Sequence, residues 1–388
     1  MHHDIVFNIF LIFTGAAIFA TLALYARQAL IISYIALGIV CGPSVAGLVT
    51  DQMTIKQIAH IGIIFLLFLL GLNLQPKELG RMFKEAIVVT TVSSIIFALV
   101  GFSVPLAMGY SMIDSVLIGV AVIFSSTIIG LKLLPTTVLH HQRTGEIIIS
   151  ILLLQDLIAI VVLLLLQGFS QGDLPVWQLL KPLAALPALI AIAYFAEKWL
   201  LDKLFAKFDR IHEFVFLITI GWCLGIAHLA YTLGLSHEIG AFIAGIALAT
   251  SPISLFIAES LKPLRDFFLV IFFFSIGASF DLTVIDDVII PASIIGISLL
   301  AIKPLTFKML LRQSTDKKKR SGEVGVRLGQ ISEFSLLIAV LGLDLGILSE
   351  KASSIIQVAT MITFIFSSGY IVMTYPTPIA VSDKLRRD

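Results

Sequence analysis

The sequence predicts an all-α, polytopic membrane protein of thirteen transmembrane helices. Three observations carry that prediction. Of the 388 residues, 58% are hydrophobic and only 13% charged, a balance that belongs to membrane-spanning chains rather than soluble domains. The apolar residues gather into runs of about 20, the length that crosses ~30 Å of hydrocarbon at 1.5 Å per residue. The cations sort to the loops of one face, as the positive-inside rule requires.

Polar and Pro/Gly-containing breaks place the runs at 5–24, 30–49, 57–72, 86–109, 113–134, 147–168, 178–200, 214–234, 238–257, 264–280, 287–311, 322–346 and 353–375. The first run is preceded by neither a basic n-region nor a small-residue cleavage site, so it is expected to stay in the protein. An odd number of spans puts the two ends on opposite faces. Loops on one face, with the span ends that border them, hold Arg27; Lys77, Arg81 and Lys84; Arg143; Lys198, Lys203, Lys207 and Arg210; Lys262 and Arg265; Arg312, Lys317, Lys318, Lys319 and Arg320; and Lys384, Arg386 and Arg387. The other face holds Lys56, Lys181 and Lys351. Nineteen cations against three set the N-terminus outside and the C-terminus in the cytoplasm. The basic stretch 317–320 reads first as a topology anchor and second as a contact for anionic lipid.

Transporters are often built from inverted repeats, and this chain shows the signs of one. The stretch 34–43 (YIALGIVCGP) has a counterpart in 240–252, and 68–74 (FLLGLNL) in 274–282, with offsets of 209 and 206 residues; pairing Ser126 with Glu333 gives 207. An offset of seven spans inverts topology. The transmembrane domain 1–375 therefore divides into a first repeat 1–168, a linker helix 178–200 and a second repeat 214–375, followed by a cytoplasmic tail 376–388.

Against this apolar background the deep polar groups stand out. Asp156 is the one charge in the run 147–166 (IIISILLLQDLIAIVVLLLL), preceded by Gln155. A carboxylate near the bilayer midplane costs a few kcal/mol or more and normally faces a water-filled path or a partner. In the fifth span Ser125, Ser126 and Thr127 offer three consecutive hydroxyls; these suit an unwound turn lining an ion site, or hydroxyls bonding back to their own helix. The corresponding place in the twelfth span, 329–335 (GQISEFS), is also polar. Lys303 lies deep in the eleventh span and needs a partner, with Asp156, Glu333 or the carbonyls of a broken helix all in reach of the argument. Arg327 and Glu333, six apart, need not share a helical face.

Other features exclude function classes. Cys41 and Cys223 sit in apolar runs without paired spacing, so neither a disulfide framework nor a metal centre is indicated. His60, His228 and His237 are scattered without metal-ligand spacing and read as packed or interfacial residues. The net charge of +1 describes no face for nucleic acid. An intramembrane aspartyl protease would want a second aspartate at the depth of Asp156, and none is found; the chain does not read as an enzyme.

The motifs together resemble the monovalent cation:proton antiporter-2 family, which includes the Kef-type potassium efflux systems. The resemblance rests on Gly-x-x-x-Gly-Pro at 38–43, Phe-Leu-Leu-Gly-Leu at 68–72, Ser-Ser-Thr at 125–127, Leu-Leu-Gln-Asp at 153–156, Gly-Ala-Phe-x-Ala-Gly at 240–245 and Gly-Gln-x-x-Glu-Phe-Ser at 329–335. It implies a sodium/proton antiporter-like fold with two inverted six-helix repeats and two broken crossing helices, assembled as a homodimer in a bacterial inner membrane. It implies that Asp156 is the ion- and proton-binding carboxylate, with Gln155, Ser125, Ser126 and Thr127 around it and Lys303, Arg327 and Glu333 in a charged core network. Gln155, where other members carry a second aspartate, favours potassium and electroneutral exchange. Sodium/proton exchange is the nearest alternative and a gated potassium leak the next. No cofactor is implied beyond the transported K+ or Na+ and H+. The nucleotide-binding regulatory domain of Kef proteins is not expected within 1–388; a separate domain or subunit would supply it.

Overall fold

The computed structural model of the chain describes residues 5–26, 28, 30–49, 52–73, 76–132, 143–169, 176–208, 210–235, 237–313 and 318–377. Among them the architecture is all helix, with no strand. In chain order the helices are α1 (Ile5–Tyr25), α2 (Leu30–Cys41), α3 (Gln52–Asn73), α4 (Pro76–Ala107), α5 (Met112–Ala121), α6 (Thr127–Lys132), α7 (Arg143–Phe169), α8 (Val176–Ala196), α9 (Asp202–Phe208), α10 (His212–Thr232), α11 (His237–Leu248), α12 (Ser254–Ala278), α13 (Ile285–Gln313), α14 (Lys318–Arg327), α15 (Glu333–Asp344) and α16 (Glu350–Thr374). A π-helical turn, Glu197–Leu201, joins α8 to α9. Helix occupies part of every apolar run, and six helices, α1, α4, α7, α10, α13 and α16, carry stretches long and apolar enough to cross a membrane. The tail from 378 onward and Lys317 of the basic stretch lie outside the described residues.

Two helices are shorter than hydrophobicity suggests. The runs 30–49 and 238–257 each become 12 residues of helix, α2 and α11, or about 18 Å. The cause is local: α2 ends at the Gly42-Pro43 turn and α11 at a turn over 249–253 containing Pro252, because proline supplies no N–H and clashes with the preceding turn. Conversely α3, α4 and α12 begin well before their apolar runs, since a helix needs hydrogen bonds along its length but apolar side chains only where it meets lipid or core.

A repeat is visible in the helix boundaries. α2 and α11 start 207 residues apart, α6 and α15 206, α7 and α16 207. Glycine packing repeats at the same offset. A Cβ on Gly71 would lie 2.3 Å from the Phe242 carbonyl oxygen, and one on Gly277 would lie 2.1 Å from that of Ile35; both pairs of helices touch backbone to backbone, which only glycine permits.

The chain forms two compact units. The first, Met1–Ile12, Val49–Arg81 and Gln167–Ser275, holds α3, α8–α11 and most of α12. Gly71 and Gly245 seat α3 on α11 there, and Trp222 of α10 donates from Nε1 to the Ala244 carbonyl of α11 at 3.1 Å. The second, Phe13–Leu48, Met82–Leu166 and Ile276–Asp388, holds α2, α5–α7, α13–α16 and most of α4. In it α13 carries Pro304 against α14, where a Cβ on Gly325 would come 2.5 Å from the Pro304 carbonyl. That contact brings Lys303, the preceding residue, to the gap between α14 and α15.

Candidate functional site

Two helical breaks build the site. Between α5 and α6 residues 122–126 leave the helix, and between α14 and α15 residues 328–332 do the same, so each break exposes carbonyls at a C-terminal helix end and N–H groups at an N-terminal one. The two breaks are tied to each other. Ser125 Oγ donates to the Leu328 carbonyl at 2.9 Å, Ser335 Oγ to the Ala121 carbonyl at 2.5 Å, and Gln330 Nε2 to the Ser126 carbonyl at 3.4 Å. The hydroxyls therefore bond across to the opposite break. Ser126 instead serves its own helix, accepting Ile129 N–H at 3.1 Å to start α6.

Lys303 is the clamp. Its side chain is fully buried, and Nζ donates to the carbonyls of Phe124 at 2.6 Å, Gln330 at 3.2 Å and Ile123 at 3.3 Å. It also lies 5.1 Å from the centre of the Phe97 ring, within cation–π range. Of the partners the sequence offered, the broken-helix carbonyls are the ones found. An ammonium at the C-terminal ends of two interrupted helices meets their negative dipole ends and satisfies all three of its protons.

Asp156 is placed differently. It stands at the midpoint of the 27-residue α7 and is buried. Among the described residues its one hydrogen-bond donor is Thr127, the first residue of α6, with Oγ1 3.4 Å from Oδ1 and 3.3 Å from Oδ2. The Glu333 carboxylate, at the first position of α15, acts on Asp156 electrostatically. So the clamp is neutralised by carbonyl dipoles, while Asp156 keeps lone pairs for something else. Gln155, expected beside the ion, braces the first break: its Oε1 accepts Ser125 N–H at 3.0 Å and its Nε2 faces the Ile123 carbonyl at 3.5 Å. Only its second lone pair remains for a cation.

A profile of the family described as the transmembrane sodium/hydrogen exchanger matches residues 9–374. The chain belongs to the sodium/hydrogen exchanger family. Its fold and family are those of cation:proton antiporters. Relatives of this exchanger include the iron transporter MagA of Paramagnetospirillum magneticum, 28% identical over 88% of this chain and 79% of the relative. Another is the glutathione-regulated potassium-efflux system protein KefC of Klebsiella pneumoniae, 28% identical over 84% of this chain. The exchanger chain spans about half, 54%, of that relative's length. The solved structure of the sodium proton antiporter MjNhaP1 from Methanocaldococcus jannaschii superposes with a TM-score of 0.73 at 17% identity, over 94% of each chain, and so shares the fold.

The remaining cation of the exchanger's core, Arg327, binds elsewhere. Arg327, buried at the end of α14, meets Glu323 Oε1 at 3.0 Å and the Pro376 carbonyl at 2.9 Å, with the Tyr375 ring 5.5 Å below its guanidinium. It fastens the chain beyond α16 to the helix that leads into the second break. Gln330, not singled out from the sequence, is buried and joins three segments: besides Ser126, its Nε2 reaches the Arg327 carbonyl at 2.9 Å, and its Oε1 accepts Ser367 Oγ of α16 at 3.0 Å. Its place beside Glu333 in a polar stretch of an apolar span was the available signal. Thr363, the sequence mate of Asp156 at the 207 offset, accepts Ile331 N–H at 3.0 Å, a neutral brace where the first repeat has an acid.

Proposed function

We propose that this chain is a secondary active transporter exchanging a monovalent cation, potassium by preference, for protons, with both competing for Asp156. One observation carries the reading: among the described residues the buried carboxylate has a single weak donor, and the Lys303 ammonium is satisfied by carbonyls instead of by it. A carboxylate in that setting binds one proton or one dehydrated cation, and hard oxygens from Thr127, Ser126 and the break carbonyls replace the cation's water. Movement of the core only when Asp156 is neutralised couples the two ions one for one and keeps exchange electroneutral. Family membership and the KefC relationship support it, and Gln155 in place of a second aspartate supports potassium. Thirteen spans, an outer N-terminus, a cytoplasmic C-terminus, a bacterial inner membrane and a homodimer complete the proposal. So do the repeats at 1–168 and 214–375 joined by 178–200, and a regulatory nucleotide-binding domain or subunit beyond these residues.

The test is exchange in proteoliposomes with an interior pH dye, run with potassium, sodium and lithium. Saturable potassium-driven proton movement is expected, lost in Asp156→Asn. Equal or greater response to sodium transfers the reading to sodium/proton exchange; flux that ignores an imposed pH gradient makes it a leak.

A further inference from the structure

The three histidines that the sequence scatters over 178 positions are gathered in the first unit. His60 near the start of α3, His228 in the last turns of α10 and His237 at the first residue of α11 come together, joined by Glu238. His60 Nε2 lies 3.5 Å from Glu238 Oε1. The His237 ring sits 6.1 Å from that of His60 and 6.2 Å from that of His228, and stacks on Tyr231 at 4.5 Å. Burial holds the His237 imidazole below the usual histidine range; the Glu238 carboxylate opposes that shift, and the rings of His60 and His228 add to it.

We propose that His60, His228, His237 and Glu238 form a second proton-binding site, independent of Asp156, that takes protons from the water at that end of α3, α10 and α11 and sets how tightly the three helices pack. A histidine is charged below about pH 6.5 and neutral above it. One positive charge in the cluster is accommodated, because Glu238 stands within 3.5 Å of His60. More than one positive charge there crowds cations around a single carboxylate, and the neighbouring backbone leaves no slack. One turn into α11, a Cβ on Gly240 would lie 2.6 Å from the Ala227 Cα and 2.7 Å from the Ile226 carbonyl of α10. Like charges at such an interface are relieved by parting the helix ends. Among the described side chains, the other groups facing His237 are Tyr231 and His228 from α10, Glu238 from its own helix and His60 from α3. On α8, which also packs on α11, none of the side chains the structure describes is charged.

Trp222, bonded from α10 to the Ala244 carbonyl of α11, reports on that interface without requiring transport. With Trp177 and Trp199 replaced by phenylalanine in the full chain, Trp222 emission in detergent is titrated from pH 8 to 5. A transition centred below the ordinary histidine range is expected, absent in His237→Gln and displaced further to lower pH in Glu238→Gln, which removes the carboxylate that favours the charged imidazole. A flat titration in the parent, or a transition unchanged in both variants, overturns the proposal. The transport arm rests on the proposed exchange: at saturating cation, where competition at Asp156 is overcome, acidifying the cluster's face is expected to lower the maximal rate at least twofold, and His237→Gln to remove that fall. A failure of exchange in every protein would count against the transporter reading, while the emission titration alone still decides the proton site.

Discussion

Asp156 and Lys303 illustrate at the residue scale how two buried opposite charges in one unit take different partners. Lys303 has three carbonyls and an aromatic face; Asp156 has one hydroxyl at more than 3.2 Å. Substituting Asp156→Asn is therefore expected to reduce exchange to background while leaving the thermal midpoint in detergent equal or higher, since a carboxylate with one long hydrogen bond contributes little to holding the fold. Lys303→Met acts the other way. It leaves the carbonyls of Ile123, Phe124 and Gln330 without their donor, at about 1–3 kcal/mol for each buried acceptor left unsatisfied, and the midpoint should fall by roughly 5 °C or more. Thr127→Val keeps shape but loses the hydroxyl; because the bond is long, the loss should be near 1.4 kcal/mol, a roughly tenfold rise in the apparent KM for the cation with kcat retained. Concentration series of exchange rate read that split, and a loss of kcat alone would contradict it.

Among the elements, the short helices and the breaks matter more than the long spans. α2 and α11 stop after 12 residues because Pro43 and Pro252 lie just beyond them, and each is held by a glycine contact too close for any side chain. Gly245→Val would put a Cβ 2.1 Å from the Phe68 carbonyl, and Gly277→Val the same distance from that of Ile35. Backbone on both sides cannot yield cheaply, so each variant should lose at least about 1–3 kcal/mol, read as lower yield and midpoint. Gly221 has nothing within 4 Å of its Cβ position, and Gly221→Ala, in the middle of α10, should be neutral or stabilising. At the breaks, Ser125→Ala removes one strut between the α5–α6 and α14–α15 gaps and should cost about 1 kcal/mol.

For the whole molecule, the proposed one-for-one exchange moves no net charge. A net charge crossing the membrane would feel about 2.3 kcal/mol per 100 mV, enough for a change of roughly fiftyfold in the driving ratio; the prediction is that an imposed potential leaves the exchange rate and its reversal point where they were. A reversal point that follows the potential would indicate unequal stoichiometry.

Much of this molecule is legible in the sequence because the information is local or periodic. Hydrophobic runs mark where helices must lie, since lipid satisfies no backbone group. A recurring offset near 207 residues exposes the repeat, and a single acid in an apolar run declares its cost. Contacts between distant positions are not periodic in the chain and come only from packing. So it was the tertiary structure that gave Lys303 its carbonyls, gave Gln155 its bonds to the first break, brought Gln330 across to Ser126, and assembled His60, His228 and His237, each unremarkable in its own helix, into one cluster. The chain determined which helices and which charged groups the fold must house; the meeting of helix ends decided which of those charges are satisfied and which are left to bind.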